Sequence, residues 1–167
     1  SFEAPTRRRG LRTLDLFVTG LVEAGGLPDG LVLTLPKVTT VAQVEAMAAV
    51  CERLERALGL DAGRLRFEVQ METPQLIVAA DGTIPVATLL HRAGGRVSAL
   101  HYGTYDYSAS LQIAAAYQSM EHPAADFAKH VMQVAAAETG VRLSDGSTNV
   151  IPVGDPDHVL AAWRLHA

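Results

Sequence analysis

Segments with the pattern of a β-strand alternate with segments with the pattern of an α-helix along the chain. Short apolar and β-branched runs predict strands over 31–35, 65–71, 97–102 and 141–143. Apolar residues at helical spacing predict helices over 11–24, 41–58, 83–93, 123–139 and 156–166, with a short helix or turn over 110–117. Strands that alternate with helices of this length predict βαβ units and therefore a parallel sheet.

The second predicted strand, LRFEVQM followed by Glu72, favours one of the two architectures that such a sheet allows. With a period of two residues, one face of the strand is polar and consists of Arg66, Glu68, Gln70 and Glu72. Strands of a doubly wound sheet carry helices on both sides and are apolar on both faces. The interior of a barrel can instead hold polar residues that lead up to an active site. We therefore predict an α/β fold of the parallel (β/α)8 barrel type.

The length of the chain limits how much of a barrel it can form. A barrel of this type needs about 250 residues, whereas this chain has 167 and four predicted strands. We expect residues 1–167 to form a single barrel domain that is truncated at both ends.

The composition excludes several classes of protein. A hydrophobic share of 49% and a charged share of 19% are typical of a globular domain. A net charge of −4 argues against a general affinity for nucleic acid or anionic membranes. The single cysteine, Cys51, excludes an internal disulfide framework and fits a reducing compartment and a small core residue. The first residues, SFEAPTRRR, are acidic and basic where a signal peptide would need an apolar core, and no apolar run reaches about 20 residues. We therefore expect a cytoplasmic protein with no nucleic-acid or membrane partner.

Two carboxylates follow neighbouring predicted strands. Glu72 directly follows the strand over 65–71, and Asp106 comes shortly after the strand over 97–102. Active sites of parallel α/β proteins lie at the carboxyl ends of the strands. Oxygen ligands without a nearby cysteine favour Mg²⁺, with Mn²⁺ second. The pair predicts a metal site that could bind a 2-oxo acid through two oxygens and stabilise its enolate.

Each polar residue at these strand ends also has a structural alternative. Glu72 can cap the segment that follows it, and Asp106 can hold a turn in GTYDYS. Lys37 can be a solvated loop residue, His101 a structural histidine and Asp145 a turn residue. The residues alone leave both interpretations open.

Four segments read LPKVTTVAQVE, FEVQMETPQLI, GRVSALHYGTYDYSASL and VRLSDGSTNVIPVGD. Together they resemble the HpcH/HpaI aldolase and citrate lyase beta subunit family of the phosphoenolpyruvate/pyruvate-binding barrel superfamily, in an uncharacterised bacterial aldolase-like branch. The resemblance implies that Glu72 and Asp106 both bind Mg²⁺. The family's LPK segment falls on Lys37, and its D-G strand end falls on Asp145 and Gly146.

The sequence departs from this family pattern in three respects. The family's substrate-binding arginine has no counterpart in the chain, and we expect it upstream of Ser1. We expect the family's last strand after Ala167. The residue after the family aspartate is usually leucine, whereas here it is Tyr107.

Three functional hypotheses follow. The first is a Mg²⁺-dependent carbon–carbon lyase or aldolase that acts on a 2-oxo acid or acyl-thioester through a metal-stabilised enolate. The second is phosphoryl or carboxyl transfer on phosphoenolpyruvate, and the third is a non-catalytic barrel fragment or scaffold. We also expect a homo-oligomer. For the first hypothesis the candidate catalytic residues are His101 and Lys37, and the candidate substrate-binding residues are Thr73, Gly103, Thr104 and Asp145.

Overall fold

A computed structural model describes residues 3–148 and 150–165 of the chain. The helices are α1 (Arg7–Glu23), α2 (Val41–Leu58), α3 (Pro74–Ile77), α4 (Pro85–Arg92), α5 (Thr104–Ser110), α6 (Pro123–Ala136) and α7 (Pro156–Arg164), with a 3₁₀ turn at Ala115–Tyr117. The strands are β1 (Val32–Leu35), β2 (Arg66–Met71), β3 (Val97–Tyr102) and β4 (Arg142–Ser144).

The four strands form one parallel sheet in the order β1-β2-β3-β4. Each strand lies beside the next one along the chain, and helices make every connection. This is the arrangement of successive βα units in a (β/α)8 barrel. The predicted fold class is confirmed, and the described residues form part of such a barrel.

The two faces of the sheet differ as the period of the second strand predicts. Phe67, Val69 and Met71 are fully buried under the helices. On the opposite face, Thr34 pairs with Glu68 in the register of β1 and β2, and its hydroxyl donates to Glu68 Oε1 at 2.8 Å. One face of the sheet therefore supplies the apolar core, and the other carries polar side chains toward the interior of the barrel.

A buried ion pair connects α2 to the segments that precede β2 and β3. Arg96 donates to both carboxylate oxygens of Glu55, each at 2.7 Å, and these side chains are only 12% and 3% exposed. Glu55 also accepts from the backbone N–H groups of Leu65 and Gly63. Burial opposes ionisation of Glu55, but these hydrogen bonds outweigh it and lower the pKa of the carboxyl below its ordinary value.

Cys51 lies in α2 and is fully buried in the core. Burial raises the pKa of its thiol to about 11, so the side chain acts as a small neutral core residue. The prediction for this position is confirmed. Within the described ranges, the chain contains no helix long and apolar enough to cross a membrane.

The structure departs from the predicted elements mainly in short helices. It contains α3 and α5, which the sequence pattern did not predict; α5 covers the segment GTYDYS, for which a turn was one of the two alternatives. Helices of four and seven residues are too short to show a helical period in the sequence. The predicted end of the last helix, His166, lies outside the described residues.

Candidate functional site

Glu72 directly follows β2 and is held in a narrow space. Its side chain is only 3% exposed. The backbone at the end of β3 crosses behind it, where Gly103 donates to the carbonyl of Met71 at 3.0 Å. A Cβ atom at Gly103 would lie 2.5 Å from Glu72 Cβ and 3.2 Å from Glu72 Cα. Only glycine is small enough for this position. The close approach of Gly103 to Glu72 fixes the position of the first carbon of the Glu72 side chain.

Lys37 connects the two predicted metal ligands. Its backbone N–H donates to Glu72 Oε1 at 2.5 Å, and its ammonium lies 3.6 Å from Glu72 Oε2. The same ammonium forms an ion pair with Asp106 Oδ2. The carboxylates of Glu72 and Asp106 thus converge on one point, although 34 residues separate them in the sequence.

The backbone of Lys37 is unusual. Its φ of 58° places it in the left-handed region, which few residues other than glycine adopt. This conformation directs both the N–H and the side chain of Lys37 toward Glu72. Backbone strain of this kind persists where the surrounding structure holds it, and it is concentrated at functional sites.

A pocket of about 370 Å³ opens at this point, at the carboxyl ends of β2 and β3. Its lining residues are Lys37, Glu72, Thr73, Asp106, Ala109 and Ser110. The hydroxyl of Thr73 donates to the carbonyl of Val38 at 2.5 Å, which ties the segment after β2 to the segment after β1. The pocket lies at the end of the sheet where active sites of this architecture are found.

Sequence reasoning did not predict two of the lining residues, Ala109 and Ser110. Both lie on α5, three and four residues after Asp106, and such residues share one face of a helix. The available signal was this spacing, but it has meaning only once the segment is known to be helical.

The donor set fits Mg²⁺. Glu72 and Asp106 supply carboxylate oxygens, and Mg²⁺ is commonly held by one or two carboxylates while water or substrate fills the remaining positions. Across residues 3–148 and 150–165, no group of three or more His, Cys, Asp or Glu side chains forms a further candidate metal site. A closed structural site of the zinc type, which needs four such ligands, is not present there.

Three other predicted site residues do not line this pocket. His101 lies within β3, where its Nδ1 is 2.9 Å from Ser144 Oγ on β4. Asp145 pairs with the Lys129 ammonium at 3.2 Å and accepts from the N–H of Gly146 at 2.6 Å. Thr104 is buried at the start of α5 beside Gly146, where its hydroxyl finds no hydrogen-bond partner among the described residues.

The predicted site residues therefore divide into two groups. Glu72, Asp106, Lys37 and Thr73 meet in the pocket, and Gly103 supports Glu72 from behind. His101, Thr104 and Asp145 lie along β3, β4 and the segments that follow these strands.

Residues 1–167 match a protein family described as a domain of unknown function (DUF6986). The chain belongs to the DUF6986 family. No protein of curated function matches the DUF6986 chain at a significant level.

Several solved structures share its fold. The magnesium/glyoxylate complex of malate synthase from Haloferax volcanii is 20% identical, with a TM-score of 0.71, over 89% of this chain and 42% of that one. A citrate lyase from Burkholderia xenovorans is 22% identical, with a TM-score of 0.63, over 91% of this chain and 44% of that one. An HpcH/HpaI aldolase/citrate lyase family protein from Burkholderia cenocepacia is 16% identical, with a TM-score of 0.51, over 91% and 60%.

These likenesses agree with the sequence resemblance at the level of the barrel fold. The DUF6986 chain spans less than half the length of the malate synthase and citrate lyase chains. At these identities, the comparison shows the fold that the chain shares with them.

Proposed function

We propose that this protein is a Mg²⁺-dependent carbon–carbon lyase or aldolase that acts on a 2-oxo acid or an acyl-thioester. One observation carries the proposal. Glu72 and Asp106 converge on the Lys37 ammonium in a pocket at the carboxyl ends of the strands. The fold supports it, because it is shared with a malate synthase solved with magnesium and glyoxylate and with a citrate lyase.

In this proposal the two carboxylates differ in how firmly they are held. Glu72 is buried, accepts the Lys37 N–H and packs against Gly103, so it provides a fixed ligand. Asp106 is half-exposed at 49% and can adjust its position. Bound Mg²⁺ would act as a Lewis acid that stabilises negative charge on an enolate oxygen.

The remaining pocket residues define the space for the substrate. The pocket is large enough for a small acid, and its lining residues Asp106 and Ser110 are exposed to solvent. Of the two predicted catalytic residues, Lys37 lines the pocket and His101 does not. The geometry therefore favours Lys37 over His101 as the basic group nearest the substrate.

Metal binding tests the assignment directly. Titration calorimetry with Mn²⁺ should show one site in the wild type, and Glu72→Gln and Asp106→Asn should each lose it. The matched control is Glu68→Gln, because Glu68 lies on the same face of β2 and accepts from Thr34 instead. Equal Mn²⁺ affinity in the wild type and Glu72→Gln would show that the carboxylate pair is not the metal site.

Activity is tested separately. Release of pyruvate or another 2-oxo acid from a panel of hydroxy-2-oxo acids should require Mg²⁺ and should proceed without a nucleotide. A requirement for a nucleotide would contradict the lyase assignment and support transfer chemistry on phosphoenolpyruvate.

A further inference from the structure

The ammonium of Lys37 occupies the point that a cation shared by Glu72 and Asp106 must occupy. It lies 3.6 Å from Glu72 Oε2 and forms an ion pair with Asp106 Oδ2. A divalent ion held by both carboxylates would compete with the ammonium for Glu72 Oε2, because Glu72 Oε1 already accepts the Lys37 N–H. The ammonium and the divalent ion therefore cannot both hold this position.

The backbone of Lys37 has a separate role from its side chain. The N–H donates to Glu72 Oε1, which is the other oxygen of the carboxylate that the ammonium faces. Movement of the side chain leaves this hydrogen bond in place. Glu72 thus remains oriented when the ammonium moves away, and only one of its oxygens changes partner.

The side chain of Lys37 has room to move. It is 43% exposed, and Asp106 beside it is 49% exposed. A lysine ammonium is a compact charge on a flexible four-carbon stem, so it can turn into solvent while the backbone stays fixed.

We propose that Lys37 is a built-in counter-ion that exchanges with Mg²⁺ at the Glu72–Asp106 pair. Before the metal binds, the ammonium offsets one of the two negative charges on the carboxylates; when the metal binds, the ammonium leaves and the backbone N–H keeps Glu72 in place. This inference rests on the proposed metal site and adds a residue that sets its affinity.

The chain offers a matched control, because it contains only two lysines, Lys37 and Lys129. The Lys129 ammonium also contacts two carboxylates, Asp145 at 3.2 Å and Asp126 at 3.6 Å. It does not line the pocket of Glu72 and Asp106. Removal of the charge at Lys129 changes the net charge of the protein by the same amount as removal of the charge at Lys37.

The first measurement is Mn²⁺ affinity by calorimetry in Lys37→Met and Lys129→Met. Methionine keeps the backbone N–H and a similar stem without the charge. In Lys37→Met no ion pair has to break before the metal binds, which predicts roughly tenfold tighter binding. Lys129→Met should bind as the wild type does, because the Lys129 ammonium pairs with Asp126 and Asp145 and does not line the pocket.

The second measurement follows metal binding in the wild type itself and does not depend on the affinity of a variant. Selective ¹³Cε labelling of lysine gives two signals, which the two variants assign. Titration with Mg²⁺ should shift the Lys37 signal in step with binding, and the Lys129 signal should stay constant.

The outcomes separate this inference from the proposed function. If the wild type binds Mn²⁺ through Glu72, but Lys37→Met binds equally or more weakly, the exchange is wrong and the metal site stands. A Lys37 signal that does not move at saturating Mg²⁺ would lead to the same conclusion. If neither the wild type nor Lys37→Met binds Mn²⁺, both the exchange and the proposed metal site are wrong.

Discussion

The buried ion pair of Glu55 and Arg96 makes the stability of this fold sensitive to substitution of either residue. In Arg96→Met, Glu55 would remain buried with no cationic partner, since its side chain is only 3% exposed. Breaking a buried pair in this way costs about 3–5 kcal/mol. We expect a loss of this size in the free energy of unfolding, measured with urea at pH 7.

The control for Arg96→Met is Arg92→Met. Arg92 pairs with Glu45 at 2.6 Å, but its side chain is 64% exposed. Exposed pairs contribute about 0–1 kcal/mol. Equal losses in the two variants would contradict the importance of burial at Arg96.

Because of the same pair, the free energy of unfolding should depend on pH, and the direction of the change is defined. The pKa of Glu55 is lower in the folded protein than its ordinary value of 4.5. The contribution of Glu55 to the free energy of unfolding is therefore present above pH 4.5. It is lost as the pH falls through the lower pKa that Glu55 has in the folded protein. The difference in unfolding free energy between wild type and Arg96→Met should narrow as the pH falls below 4.5.

Single residues also show what the sequence could and could not predict about the site. The positions of Glu72 and Asp106 were predictable, because each follows a strand and parallel strands end at one edge of a sheet. The contact of Lys37 with both carboxylates was not predictable. It depends on a left-handed backbone at a residue that is not glycine, and no local pattern indicates that conformation.

At the scale of elements, the junction of β3 and α5 sets the geometry of the pocket. Gly103→Ala would push a methyl group against Glu72, because the added Cβ lies 2.5 Å from Glu72 Cβ. Such overpacking costs about 1–3 kcal/mol, and displacement of Glu72 should also weaken Mn²⁺ binding. Thermal unfolding and calorimetry measure the two effects.

Gly20→Ala is the matched control for Gly103→Ala. Gly20 lies in α1, and a Cβ there meets no atom within 4 Å. Alanine is better than glycine within a helix by about 0.5–1 kcal/mol, so this variant should be slightly more stable with unchanged Mn²⁺ affinity. If Gly103→Ala were more stable than the wild type, the space between Gly103 and Glu72 would not be as narrow as the structure indicates.

The elements themselves were predictable to different degrees. Long periodic segments such as α2 and α6 carry their apolar face in the sequence, and β3 has the predicted bounds. The seven residues of α5 are too few to be stable as an isolated helix. Tertiary packing holds them, as the buried ring of Tyr107 shows in its edge-on contact with Tyr102, 5.6 Å between ring centres.

At the scale of the whole molecule, the proposed metal site couples ligand binding to folding. A ligand that binds only the folded state at 100 times its dissociation constant adds about 2.7 kcal/mol to stability. We expect the melting temperature of the wild type to rise with Mg²⁺ concentration. Glu72→Gln should show no such rise, and an equal rise in both proteins would indicate binding elsewhere.

The class of the whole fold was predictable because it depends on patterns that repeat along the chain. Four strand-like runs separated by helices indicate a parallel sheet, and the polar row of β2 indicates a barrel interior. The division of the polar strand-end residues into those that line the pocket and those that do not depends on how the connecting segments fold. A period in the sequence does not contain that information.

The alternation along β2 has a consequence for how such a protein can evolve. Packing constrains its odd-numbered residues, Phe67, Val69 and Met71, because they are fully buried. Glu68 and Gln70, which lie between them, are only partly buried. Single substitutions at those positions can change the chemistry of the barrel interior without loss of the core. The strand thus separates the positions that maintain the fold from those at which a new specificity can arise.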